Sequence, residues 1–138
     1  DKKTENGAHP LYLDEKALDS PVVALAGASR ETLRIAEMVE SMLDKTLVAI
    51  ETGDQAVISQ ICETDDKVDK IYAAIKTYMS RLSQTSLDPA EAERAMQILT
   101  FSTNLEHIGD IIEKSLMELA AKKDRKKERF SEAGAKEI

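Results

Sequence analysis

Apolar residues recur along this chain in three long stretches at alternating steps of three and four, the spacing that lines one side of a helix. In the first stretch Leu25, Ala28, Ile35, Val39, Met42 and Ala49 keep the period from Ser20 to about Thr52, and Leu43, Leu47 and Ile50 are expected to widen that face near its end. In the second, Val57, Ile61, Val68, Ile71, Ile75, Tyr78 and Leu82 form the seam, with Thr64 as its one polar residue. In the third, Ile98, Phe101, Leu105, Ile108, Ile112 and Leu119 carry the period to about Ala121.

The breaks between the stretches are marked by residues with local reasons to be there. Ser20-Pro21 starts a helix, since Ser caps free amides and Pro at the first helical position has no N–H to lose. Gly53-Asp54 leaves one helix and caps the next, and so short a link makes the two helices antiparallel neighbours. A Ser/Thr-rich turn, Ser83 to Leu87, precedes Asp88-Pro89-Ala90-Glu91, which has the spacing of a reciprocal capping box. The pattern predicts an all-α protein, an antiparallel three-helix bundle over residues 20–121. Residues 1–19 read as a leader or linker, with Leu11-Tyr12-Leu13 pinned on the bundle. Residues 122–138 read as a basic connector, Lys122 to Arg129, and the start of a further helix.

Composition narrows the function. Aromatic residues make 4% and charged residues 33% of the chain, which favours long amphipathic helices over a β-sandwich. The net charge of -7 disfavours a nucleic-acid partner and suits cations or basic partners. Cys62 is the single cysteine, so an intramolecular disulfide and a several-cysteine zinc site are both excluded. The chain has no apolar run of about 18 residues and no signal peptide, and it does not begin with Met; it is expected to be a piece of a longer protein.

The acidic residues carry the candidate chemistry. Glu106, Asp110 and Glu113 fall within about 60° of one another and away from the third seam, so they are expected to face outward and to meet something beyond the core. Asp65 and Asp69 repeat the four-residue spacing of Glu106 and Asp110 on the second helix, off its seam, within the run Glu63, Asp65, Asp66. Like charges at this spacing repel by a few tenths of a kcal/mol per pair, so two such pairs on adjacent helices are readily understood if a cation sits between them. Carboxylate oxygens alone select a hard ion such as Mn, Mg, Ca or iron. The spacing is not unique, for Glu40 and Asp44, and Glu15 and Asp19, show it as well, and an ordinary solvated acidic face has the same appearance.

No catalytic constellation accompanies the acids. Glu106-His107 lacks the Glu-x-x-His spacing of ferritin-like di-iron enzymes, and His107 reads as a surface histidine. Cys62 has no base in its sequence neighbourhood, and a nucleophile elbow and a Gly-rich phosphate loop are missing. Cys62 and the five methionines are expected to pack. The chain is not expected to be an enzyme.

Leu105-Glu106-His107-Ile108-Gly109-Asp110 resembles the Leu-Glu-Arg-Ile-Gly-Asp signature of PhoU domains, with His107 in place of the Arg, and Asp65-Asp66-Lys67-Val68-Asp69 resembles their upstream E/D-x-x-x-D. The likeness spans about Pro21 to Ala121. Leu11-Tyr12-Leu13-Asp14, Ser20 to Ala26 and Arg30 to Arg34 are more narrowly similar to the PhoU-like domain that follows the membrane domain of bacterial sodium-phosphate cotransporter family proteins. The resemblance implies one PhoU repeat of the two in a complete unit, and a regulatory domain in phosphate uptake and homeostasis. It implies metal ligands at Asp65, Asp69, Glu106 and Asp110, with the ion left open among Fe, Mn, Mg and Ca. It further implies a partner in the membrane domain of the same parent protein, a location on the cytoplasmic face of the inner membrane, and no nucleic acid; a homodimer is compatible with it. Two other readings stand beside this one: a free-standing PhoU-type phosphate signalling regulator, and a plain helical oligomerisation module whose acids serve solubility.

Overall fold

A computed structural model describes the chain from residue 8 to residue 137, with side-chain environments to Lys126 and at Arg129. After a 3-10 turn, Glu15–Asp19, three helices follow: α1, Pro21–Thr52; α2, Gln55–Ser83; and α3, Pro89–Glu137. No strand occurs among the described residues. The helices run up, down and up, and all three pairs are in contact.

The local signals act where the sequence places them. Gly53 adopts a left-handed conformation, φ 66°, that ends α1, and its N–H donates to the Ala49 carbonyl. The Asp54 carboxylate accepts from the Ala56 N–H at 2.9 Å. At the start of α3, the Asp88 N–H donates to Glu91 Oε1 at 3.0 Å and the Glu91 N–H to Asp88 Oδ1 at 2.8 Å, the reciprocal pair of a capping box. Ser20 precedes Pro21 at the head of α1, but its hydroxyl makes no capping bond.

The core follows the α1 and α2 seams. Leu25, Ala28, Ile35, Val39, Met42 and Ala49 are buried against Ile61, Val68, Ile71, Ile75, Tyr78 and Leu82. Each fully buried large aliphatic side chain contributes about 1.5–3 kcal/mol. Leu43, Leu47 and Ile50 do not widen this face: each is about half exposed or more, on an outer side of α1.

The leader is fastened to the bundle by a buried carboxylate. Glu31 is completely buried; its Oε1 accepts from the Leu11 and Tyr12 N–H groups at 2.8 and 2.7 Å, and its Oε2 pairs with Arg34 at 2.7 Å. Arg30 stacks over the Tyr12 ring, the Tyr78 hydroxyl donates to the Asp14 carbonyl, and Leu13, Ala17 and Leu18 pack on the core. A Cβ at Gly27 would run into the Tyr12 carbonyl oxygen. The expected pinning of Leu11-Tyr12-Leu13 is present; Asp1 to Gly7 lie outside the described residues.

Helix α3 departs from expectation twice. Its buried seam is Ile98, Ser102, Leu105, Gly109, Ile112 and Leu116, whereas Phe101 and Ile108 are 46% and 40% exposed. Both seams share Ile98, Leu105 and Ile112 and both keep the three-four step. Packing chooses the one with the small residues, because Ser102 and Gly109 allow α3 to approach most closely. Relative to the expected seam, the helix is turned by about 40°. Nor does α3 stop near Ala121. It continues through the basic run to Glu137, since Lys, Arg, Glu and Ala are good helix formers and no proline interrupts them.

Candidate metal centre

The turn of α3 brings its acids round to the flank that faces α2. Glu106, Asp110 and Glu113 are half-buried there, so the expectation that they face outward is corrected. Asp65 is corrected too: it is 2% exposed and occupies a seam position of α2, between Ile61 and Val68, where Thr64 had been expected as the polar residue. Asp69, one turn further, is half-buried.

Carboxylate oxygens of Asp65, Asp69 and Asp110 lie within 4.8 Å of one another, and so do those of Asp65, Asp66 and Glu113. Three of the four sequence-predicted ligands therefore meet. Glu106 is outside both triads but adjoins the first, near enough to Asp110 and Asp69 to raise its own pKa. Sequence reasoning did not assign Asp66 and Glu113. Their signal was their position, Glu113 one turn beyond Asp110 and Asp66 next to Asp65, and it becomes readable only when α3 is turned correctly. Asp65 belongs to both triads, which puts it where one carboxylate can serve two neighbouring positions.

Gly109 makes room for Asp65. A Cβ there would stand 2.9 Å from Asp65 Oδ1, with the Met42 side chain behind it at 3.9 Å, so a larger residue would displace the carboxylate or the helix. The Leu-Glu-x-Ile-Gly-Asp segment thus supplies a seam leucine, a close-approach glycine and two flanking acids within six residues.

The electrostatics of the cluster are unfavourable as they stand. Burial, then the charges of Asp69, Glu113 and Asp110, push the Asp65 carboxyl up to about 7. Burial, then hydrogen bonding with Asp110 and Asp69, pushes Glu106 up to about 7. Asp69 is raised by burial and by Asp110 and Asp66, partly offset by its hydrogen bond with Glu106. Two carboxyls hydrogen-bond only when one keeps a proton; as anions they offer no donor. Accordingly Oδ1 of Asp65 and of Asp69 are buried without a hydrogen-bond partner. Among the described residues no Lys or Arg forms an ion pair with these six acids. His107, whose side chain is 65% exposed, lies 3.9 Å from Glu106 and points to solvent.

This arrangement fits a hard cation. Oxygens on opposite sides of a divalent ion stand roughly 4–5 Å apart, separations within 4.8 Å are compatible with that, and the donor set is all carboxylate. Asp65, Asp69 and Asp110 would hold one ion, with Asp66 and Glu113 available on the other side of Asp65. Such an ion supplies the positive charge that the two unpartnered oxygens lack. Cys62 is half-buried near Glu113 and contacts Met117, a packing position with a raised thiol pKa caused by burial and then by Glu113, Asp65 and Asp66.

Comparison with known proteins agrees with the fold. Residues 32–119 match the PhoU domain family. The chain belongs to that family. It is 36% identical over 129 residues to a protein of Escherichia coli O157:H7 named "Putative inorganic phosphate export protein YjbB", and 37% identical over 129 residues to the protein of that name in Salmonella typhimurium (strain LT2). These matches cover 94% of this chain and 24% of each relative, so the chain spans about a quarter of the relatives' length. No solved structure matches it. Among the described residues no helix is long and apolar enough to cross a membrane.

Proposed function

We propose that this PhoU domain regulates phosphate movement through a sodium-phosphate cotransporter-type parent protein, and that its acidic cluster binds a hard divalent cation as part of that regulation. The observation that carries the reading is the buried carboxylate of Asp65, unpartnered at Oδ1 and surrounded by Asp69, Asp110, Asp66 and Glu113. A buried anion among anions is stable only when protonated or when a cation joins it. The role is regulatory rather than catalytic: the domain responds to cation or phosphate state and passes that response to the membrane domain of the same parent, on the cytoplasmic face of the inner membrane.

The 94% match to a segment of much longer relatives supports attachment to a transport protein. A free-standing PhoU-type regulator is the second reading, because the family match over residues 32–119 serves it equally. The resemblance of sequence implies uptake, whereas the relatives' name reads export, so flux should be followed in both directions. The test is radiolabelled phosphate flux in cells making the parent protein with Asp65→Asn and Asp110→Asn. The proposal expects flux that no longer adjusts to phosphate supply or to divalent cation. Flux and adjustment identical to wild type would contradict it.

A further inference from the structure

The basic run of α3 is left unused by the acidic cluster. Six of the 19 Lys and Arg residues fall within Lys122 to Arg129, in a chain of net charge -7. On the helix, Lys122, Arg125, Lys126 and Arg129 occupy positions i, i+3, i+4 and i+7, one side about 100° wide, and Asp124 falls on the other side. All five residues are exposed. Among the described residues none of the four cations has an ion pair or a hydrogen bond.

The stripe continues a second feature of the same helix. Its side of α3 lies more than about 90° from the buried seam and is shared, further towards the N-terminus, by Ile108 and Ile111, which are 40% and 62% exposed. One outward side of α3 therefore runs from apolar, past Ser115 and the exposed Glu118, to cationic. Four cations spread over about 10 Å of a convex helix diverge, so they do not converge on a single small anion; they match many phosphates on a plane. An apolar stretch beside a basic stretch on one helical side is the pattern that rests on an anionic bilayer surface.

We propose that the outward side of α3 binds the surface of an anionic phospholipid bilayer through Lys122, Arg125, Lys126 and Arg129. This is independent of the acidic cluster and of any cation there. The test is co-sedimentation of the chain with vesicles of phosphatidylglycerol and phosphatidylethanolamine, and with vesicles of phosphatidylcholine alone. Binding is expected to the anionic vesicles only and to weaken at high salt. It should be lost in the triple variant Arg125→Glu, Lys126→Glu, Arg129→Glu. It should persist in a control of equal charge change away from that side of α3, Lys16→Glu, Lys70→Glu, Lys76→Glu, with circular dichroism showing both variants equally helical. Absence of binding to anionic vesicles would overturn the proposal, as would loss of binding in both variants alike. Displacement by inorganic phosphate at matched ionic strength would overturn it in favour of a free-phosphate ligand.

Discussion

Glu31 and Asp65 are two carboxylates buried in one small bundle, and their surroundings are opposite. Glu31 accepts from two backbone N–H groups and pairs with Arg34, so its burial is fully compensated and its work is to hold the leader on α1. Asp65 has a buried oxygen without a donor and acids on every charged side. A buried charge with its partners in place is part of the architecture. A buried charge without them is a place prepared for a ligand, and folding bears its cost until the ligand arrives.

Removing each carboxylate in turn should have opposite consequences. Glu31→Ala removes the buried acceptor of the Leu11 and Tyr12 N–H groups and one ion pair of Arg34, frees the leader, and should destabilise the fold by about 4 kcal/mol in urea unfolding. Asp65→Asn in cation-free protein should leave stability unchanged or raised, because it removes repulsion. If the two variants were equally destabilised, the contrast would fail.

Acidification probes the same difference without mutation. Asp65 and Glu106 have folded-state pKa values of about 7, above their ordinary values of 3.8 and 4.5. The folded state therefore binds protons more tightly than the unfolded chain. The resulting stability is fully present below those ordinary values and is lost as pH rises through about 7. Cation-free protein should gain on the order of 3 kcal/mol between pH 8 and pH 5. Saturation with a divalent cation, or Asp65→Asn, should flatten that slope; a slope unchanged by either would locate the titration elsewhere.

Smaller effects sharpen the geometry. Gly109→Ala should cost about 2 kcal/mol and weaken cation binding, since its methyl group would meet Asp65 Oδ1. Calorimetry and unfolding on the same variant would separate the two losses. Glu106→Gln should reduce cation affinity only about tenfold, roughly 1.4 kcal/mol, because Glu106 adjoins the triad without joining it. A larger loss than that of Asp110→Asn would return Glu106 to the ligand set.

What was legible in the sequence follows from range. Gly53, Asp54 and the Asp88–Glu91 box act on neighbours within a few residues, and the structure uses them as read. The rotation of α3 was not legible, because two seams share three apolar residues and only close packing, through Ser102 and Gly109, decides between them. That ambiguity alone points Glu106, Asp110 and Glu113 outward, and a one-residue choice on α2, Thr64 in place of Asp65, leaves Asp65 off the seam it occupies. The backbone donors to Glu31 lie 19 and 20 residues away in the leader, beyond any local pattern. The end of α3 was misplaced for another reason: a charge run resembles a connector, yet contains nothing that stops a helix.

Isothermal titration of Mn(II) into metal-stripped wild-type chain and into Asp65→Asn asks whether the buried carboxylate holds a cation. Saturable, stoichiometric binding is expected in the wild type and its loss in Asp65→Asn, with the variant at least as stable as wild type before titration. No binding in the wild type, or equal binding in both, would show that the buried carboxylate of Asp65 is not held for a cation.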